Sequence, residues 1–259
     1  MHRLAVVPLC LLLALILGSL VSLLSKVDGG ILSAILTDKE IRFAVMMSCG
    51  TSLVSLALSA AIALPAAWAI ARFDFKGKRI INLLLDLPMV TPPLVAGMGL
   101  LLLLGSQGPF SDVAPWLSAR LFSPLGIIIA QTYVASSILA RSAVSSFISV
   151  DLNYVHTAYN LGLRPFAAFL LVEIPLCWRQ LVGGCVLALA RCLGEFGATL
   201  MLAGATRMKT ETLPMAVYLN ISSGDYPTAI ACASLLLVIA CALLLLLHTL
   251  QQPEKPCLK

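Results

Sequence analysis

Arg42 and Arg72 bracket the stretch Phe43-Ala-Val-Met-Met-Ser-Cys-Gly-Thr-Ser-Leu-Val-Ser-Leu-Ala-Leu-Ser-Ala-Ala-Ile-Ala-Leu-Pro-Ala-Ala-Trp-Ala-Ile-Ala71, 29 residues with no charged side chain. About 20 predominantly apolar residues suffice for a helix to cross the hydrocarbon core of a bilayer, so this stretch is long enough. Its small residues are ordered: Thr51, Ser55, Ser59, Ala63, Ala67 and Ala71 recur every four residues. Residues four apart share a helix face. A face of small side chains lets a second helix approach closely, which is how helices associate in lipid. The stretch predicts a spanning helix packed inside a bundle, not a lone anchor.

The rest of the chain repeats the pattern. Of 259 residues, 60% are hydrophobic and 11% charged, and the mean hydropathy is +1.00. Soluble domains carry about 25% charged residues, so these charges could not cover a globular surface of this size. Soluble, fibrous and disordered classes are excluded. Further charge-free gaps cover 4–25, 87–111, 121–140 and 226–253, and a sixth apolar stretch, 181–204, is interrupted by Arg191 and Glu195. Six spanning helices are predicted, over 4–24, 44–71, 81–104, 125–148, 180–204 and 226–249. They make the whole chain, 1–259, one all-α membrane domain. The first is expected to be retained: its apolar run exceeds the h-region of a signal peptide, and no A-x-A site follows.

An even number of spans puts both termini on one side. Basic residues concentrate on that side, most densely in Arg72-Phe-Asp-Phe-Lys-Gly-Lys-Arg79, which marks it as cytoplasmic. Arg141 is counted there because a long side chain near a helix end can snorkel to the interface. The net charge of +5 therefore reads as topology, and no basic patch with interleaved aromatics points to nucleic acid. The eight cysteines form no C-x-x-C, and the histidines, His2, His156 and His248, are scattered. The cysteines are read as packing residues, with no metal site and no disulfide. Asn220-Ile-Ser222 is a glycosylation sequon by pattern only.

Three segments break the regularity. Leu87-Pro-Met-Val-Thr-Pro-Pro-Leu-Val-Ala-Gly-Met-Gly99 holds three prolines and two glycines. Proline removes helical hydrogen bonds, and irregular backbone at membrane depth is tolerated only against protein or a watery cavity. The segment is either a pathway element, or a simple kink or interfacial turn. In Ala190-Arg-Cys-Leu-Gly-Glu-Phe-Gly197, Arg191 and Glu195 are four apart, hence neighbours on one helical face. Charges in lipid are costly, so the pair either lines a pathway for an ion or neutralises itself inside protein. Finally, the cytoplasmic loop 149–179 reads as two short amphipathic helices, 151–161 and 165–172, joined at Gly162 and closed at Pro175.

That loop runs His156-Thr-Ala158, three residues, Gly162, nine residues, then Val172-Glu-Ile-Pro175. It resembles the permeases of bacterial ABC importers, whose loop carries E-A-A-x3-G-x9-I-x-L-P. Ala158, Gly162 and Pro175 match, and His156 and Thr157 replace the Glu-Ala opening. Leu87-Pro-Met-Val-Thr-Pro-Pro-Leu-Val-Ala-Gly97 and Leu193-Gly-Glu-Phe-Gly-Ala-Thr-Leu-Met-Leu-Ala-Gly204 resemble the third- and fifth-helix motifs of molybdate and sulfate permeases. Thr210-Glu-Thr-Leu-Pro214 and Ser223-Gly-Asp-Tyr226 continue the likeness. Gly-Ala-Thr-Leu-Met looks closer to the molybdate form.

The resemblance implies a type I ABC importer permease with 149–179 as its coupling loop. It implies a homodimer around one pathway, two cytoplasmic ABC ATPase subunits that bind ATP and Mg, and a periplasmic or extracellular oxyanion-binding protein. The setting is a bacterial or archaeal cytoplasmic membrane. His156, Thr157, Ala158, Gly162 and Pro175 would meet the ATPase. Pro92, Pro93, Gly97, Arg191, Glu195 and Thr199 are candidates for lining the pathway or pairing helices. The chain has no G-x-x-x-x-G-K-[ST], so it offers no loop to cradle ATP phosphates; no catalytic residue, metal or cofactor of its own is expected. The expected cargo is molybdate, with tungstate close behind. A sulfate or thiosulfate permease is the alternative. A gradient-driven anion transporter would need coupling carboxylates near mid-membrane, where only Glu195 qualifies, and would often show internal repeats. A membrane enzyme would need a convergent catalytic set, and no H-E-x-x-H occurs.

Overall fold

The computed structural model describes residues 2–26 and 38–251, with no strand among them. Helices follow one another as α1 (His2–Leu24), α2 (Lys39–Arg72), α3 (Lys78–Val90), α4 (Pro93–Leu104), α5 (Pro115–Ser118) and α6 (Pro124–Ile148). Then come α7 (Leu152–Asn160), α8 (Pro165–Ala168), a π turn (Phe169–Glu173), α9 (Ile174–Leu193), α10 (Gly197–Ala203), α11 (Leu213–Ser222) and α12 (Tyr226–Gln251). The expected outer connection after the first span falls largely outside the described residues, as does the tail carrying Lys255, Cys257 and Lys259.

Among the described residues, five helices are long and apolar enough to span: Val7–Leu24, Lys39–Arg72, Pro124–Ile148, Pro165–Leu193 and Tyr226–Thr249. A sixth exists if α3 and α4 are counted as one bent span. Local chemistry sets their starts. Asp38 accepts from Glu40 N (2.7 Å), and Ser123 caps α6 ahead of Pro124 at its first position. Such oxygens satisfy N–H groups left over at a helix start.

The core lies where α2, α6 and α9 meet. Thr51, Ser55, Ser59, Ala63 and Ala67 are buried against α6, as their spacing requires. The approach is close enough for hydroxyls to reach the neighbouring main chain: Ser55 Oγ lies 3.2 Å from Ile128 O, and Ser59 Oγ lies 3.3 Å from Thr132 O. α9 also packs closely on α6, where a Cβ on Gly184 would meet Ser142 Oγ at 2.5 Å. Cys177 and Cys192 are buried in apolar clusters with Phe147, Leu139 and small alanines. α1 lies at the edge; none of its spanning window is fully buried, and it packs on α12.

The structure revises three sequence expectations. The span expected over 81–104 is two helices turned by 114°. Thr91 (ψ 130°) and Pro92 (ψ 134°) are both extended, because a residue before proline is driven out of the helical region and each precedes one. The span expected over 180–204 begins earlier, at Ile174, and ends at Leu193. Gly194–Phe196 then separates it from α10. The second loop helix, expected over 165–172, does not close at Pro175 but runs through the π turn into α9. Proline has no N–H and crowds the carbonyl four residues back. The helix widens to meet this, and Ile174 N reaches Phe169 O, five residues back. The sequence also gave no hint of α11, which packs on α12 and α2.

Candidate functional site

The two broken spans meet at their breaks. α4 lies closely on α10: a Cβ on Gly97 would come 2.7 Å from Ala198 Cα, and one on Gly197 would come 2.7 Å from Pro93 Cβ. Beside this crossing is a cavity of about 230 Å³, lined by Pro88, Thr91, Pro92, Pro93, Val134 and Arg191 among others. Arg191 reaches it from the last turn of α9 with its side chain 34% exposed, and its Nη1 lies 2.6 Å from Glu195 Oε2. The pair therefore forms, but not on one continuous helix, since Glu195 sits in the Gly194–Phe196 break. Its carboxylate is 0% exposed, and Oε1 accepts from Ala198 N at 2.9 Å, capping α10. Pro92, Pro93, Gly97, Arg191 and Glu195 are thus brought together. Thr199 is buried one turn further on, outside the cavity lining, and its Oγ1 has no hydrogen-bond partner among the described residues.

A guanidinium with one edge on a buried carboxylate keeps further N–H donors for a second anion. The break itself is stabilised from α6. Gln131, buried, donates to Cys192 O (3.0 Å), a carbonyl near the end of α9, and to Ser52 Oγ (3.3 Å) on α2. Its Oε1 lies 3.0 Å from Ser55 Oγ. One amide therefore links three helices at the depth of the break.

The coupling segment forms the second site. α7 buries Val155 and Ala158 on the segment after it and leaves Leu152, Tyr159 and Leu161 exposed with His156 and Thr157. It ends in a left-handed residue, Gly162 (φ +85°), with Gly162 N donating to Tyr159 O and Leu163 N to Ala158 O. That paired closure is the Schellman motif, which favours glycine at this conformation. His156, Thr157, Ala158 and Gly162 therefore cluster, whereas Pro175 lies apart on the first turn of α9.

Beneath α7 is a network the sequence did not reveal. Glu173, 0% exposed, accepts from Trp68 Nε1 (2.8 Å) and Arg72 Nε (2.6 Å) of α2. Arg72 Nη2 also donates to Phe147 O (2.8 Å) at the end of α6. Phe169 packs on the Trp68 and Phe147 rings at 5.1 and 5.7 Å. The only signal was one acid in an apolar run. Arg72 looked like a topology marker, and Arg141, expected to snorkel, instead makes a two-point pair with Asp86 of α3, its Nε 2.8 Å from Oδ1. On the opposite side of the bundle Arg207 pairs with Glu40, and its Nη2 donates to Asn220 Oδ1 at 3.1 Å. Asn220 is buried in α11, so the sequon is not presented. Glu211, also buried, accepts from Met208 N (3.0 Å); its burial raises the carboxyl above the ordinary range.

A bundle of long apolar helices, two of its spans broken around a cation-lined cavity and an amphipathic helix docked beneath it, defines a membrane permease. The chain belongs to the family of binding-protein-dependent transport system inner membrane components, whose model matches residues 61–254. It is 35% identical over 214 residues to a probable molybdenum ABC transporter permease of Haloferax volcanii, covering 83% of this chain and 77% of that one. Over 228 residues it is 34% identical to the molybdenum transport system permease ModB of Mycobacterium tuberculosis, covering 88% and 86%. Identity to the sulfate transport system permease CysT of Escherichia coli is 28% over 243 residues, covering 93% and 88%. The fold matches a chain of a bacterial alginate ABC transporter, solved with its pentasaccharide-bound periplasmic protein, at a TM-score of 0.73 and 12% identity, covering 97% and 93%. It matches a chain of the MetNI methionine transporter at 0.60 and 15%, covering 82% and 96%. The architecture is that of a type I ABC importer permease, and the chain is a multi-pass membrane subunit of such an importer.

Proposed function

We propose that the cargo is a tetrahedral oxyanion, molybdate or tungstate, and that it passes the cavity where the two broken spans cross. The observation that carries this is Arg191, a cation held at the cavity by a buried carboxylate. An anion entering there meets the guanidinium donors that Glu195 does not engage, and charge-assisted bonds of this kind are the strong ones. The identities of 34% and 35% to molybdenum permeases support molybdate, and the 28% identity to a sulfate permease keeps sulfate as the second reading.

Two copies form the pathway in this reading. Both termini face the cytoplasm, ATP and Mg sit on two partner ATPases docked at His156–Gly162, and a binding protein delivers the anion outside. ATP binding closes the ATPases, α7 is pushed as a lever, and the broken spans tilt to open the cavity outward. Family membership favours this over gradient-driven transport. ATP-driven uptake in proteoliposomes of the assembled importer, with labelled molybdate, tungstate and sulfate in competition, is the test. Sulfate outcompeting molybdate would overturn the molybdate assignment.

A further inference from the structure

A force applied to α7 can leave the coupling segment by two routes, because α7 packs mainly on α8 and the π turn. Along the chain the route is soft. The π turn Phe169–Glu173 is followed by Pro175, which lacks an N–H, and Cys177 departs from helical geometry (φ −115°, ψ 16°). Sideways it is stiff. Glu173 is held by Trp68 Nε1 at 2.8 Å and Arg72 Nε at 2.6 Å, and Arg72 is tied in turn to Phe147 O at 2.8 Å. Hydrogen bonds to a carboxylate strengthen where water is excluded. A carboxylate stripped of these donors would be a buried unpaired charge, so the joint resists partial opening.

We propose that Glu173 is the joint that obliges α2 and α6 to follow the coupling segment, and that it thereby ties ATP hydrolysis to translocation. It is a positioning residue and acts through Trp68 and Arg72. The inference rests on 149–179 being the coupling segment. A lever with a soft exit along its own chain transmits its stroke through its stiff side contact, and Phe169, wedged between Trp68 and Phe147, blocks rotation about that contact.

The test uses the complete importer, with its ATPases and binding protein, in proteoliposomes. ATP hydrolysed and labelled molybdate or sulfate taken up are measured on the same vesicles. Glu173→Gln keeps the volume but places an amide where Arg72 donates. The stimulated hydrolysis is expected to stay near that of the unaltered importer while uptake falls about tenfold, the scale of a typical coupling energy. Trp68→Phe removes one donor, keeps a smaller aromatic ring there and shifts the ratio the same way by less; if Glu173→Gln fails to insert, this variant decides. A parallel fall of both rates, as misassembly would give, overturns the joint, and so does no change in either. Failure of the coupling-segment reading shows separately, because Gly162→Asp would then leave both rates unaltered.

Discussion

Replacing Gly97 with alanine adds one methyl group at the crossing of α4 and α10. The added carbon would sit 2.7 Å from Ala198 Cα, 2.8 Å from Met201 Cβ and 2.9 Å from Ala198 O. Two of the three are backbone atoms, which no rotamer change can move. Ordinary contact begins at 3.4 Å, so from 2.7 Å the helices must part by about 0.7 Å. Overpacking of this kind costs about 1–3 kcal/mol. With the unfolding entropy of a soluble domain of similar size, each kcal/mol lowers the melting midpoint by about 2–4 °C. Fluorescence-monitored melting of the purified permease reads this directly. Gly99→Ala is the control, since nothing lies within 4 Å of a Cβ there; it should be neutral or slightly stabilising. Gly197→Ala should cost a similar amount to Gly97→Ala. Once one methyl has parted the helices the second meets less resistance, so the double variant should cost less than the sum. Equal melting of the Gly97 and Gly99 variants, or strict additivity of Gly97 and Gly197, would refute this account of the crossing.

Three further outcomes are expected. Gly162→Asp forces a side chain into φ +85° and should abolish ATP-coupled uptake while leaving the protein inserted, checked by membrane fractionation beside uptake; normal transport would contradict the lever. Glu195→Gln removes the charge that balances Arg191 and should lower the amount of assembled permease without changing the order of anion preference; altered preference with normal assembly would mean that Glu195 selects the anion. Glu211 titrates above its ordinary 4.5, chiefly because it is buried. Its raised value means the fold favours the protonated form, so that contribution is complete below 4.5 and is lost as pH rises through the raised value. Melting should therefore weaken across that window, and Glu211→Gln should flatten the profile; an unchanged pH profile counts against the assignment.

What was legible in the sequence followed from local rules. The gap between Arg42 and Arg72 specifies α2, its four-residue pattern specifies the face turned to α6, and Thr91-Pro92-Pro93 specifies where the third span breaks. The sense and size of the 114° turn were not legible, because they depend on Gly97 finding α10 about 100 residues later. Pro175 reads as a stop, but a π turn absorbs it at the cost of helical regularity. The Arg191–Glu195 pair was visible as spacing. The partners of Glu173 were not, since Trp68 and Arg72 lie 105 and 101 residues away in sequence and each has an ordinary reading of its own.

The hydroxyls that bridge α2 to α6 have a mechanical consequence. A bond from Ser55 or Ser59 to a particular carbonyl fixes the register of the two helices, so neither can slide along the other without losing it. The glycine contact of α4 on α10 holds no such bond. It sets the crossing by exclusion instead, since sliding either helix would bring residues that carry a Cβ into the 2.7 Å approaches at Gly97 and Gly197. The bundle is therefore pinned by hydrogen bonds on one side and by steric exclusion on the other. In the transport cycle proposed above, α4 and α10 can part without breaking a hydrogen bond, whereas α2 and α6 cannot, and Pro93 and Ala96 of α4 also line the cavity proposed for the anion.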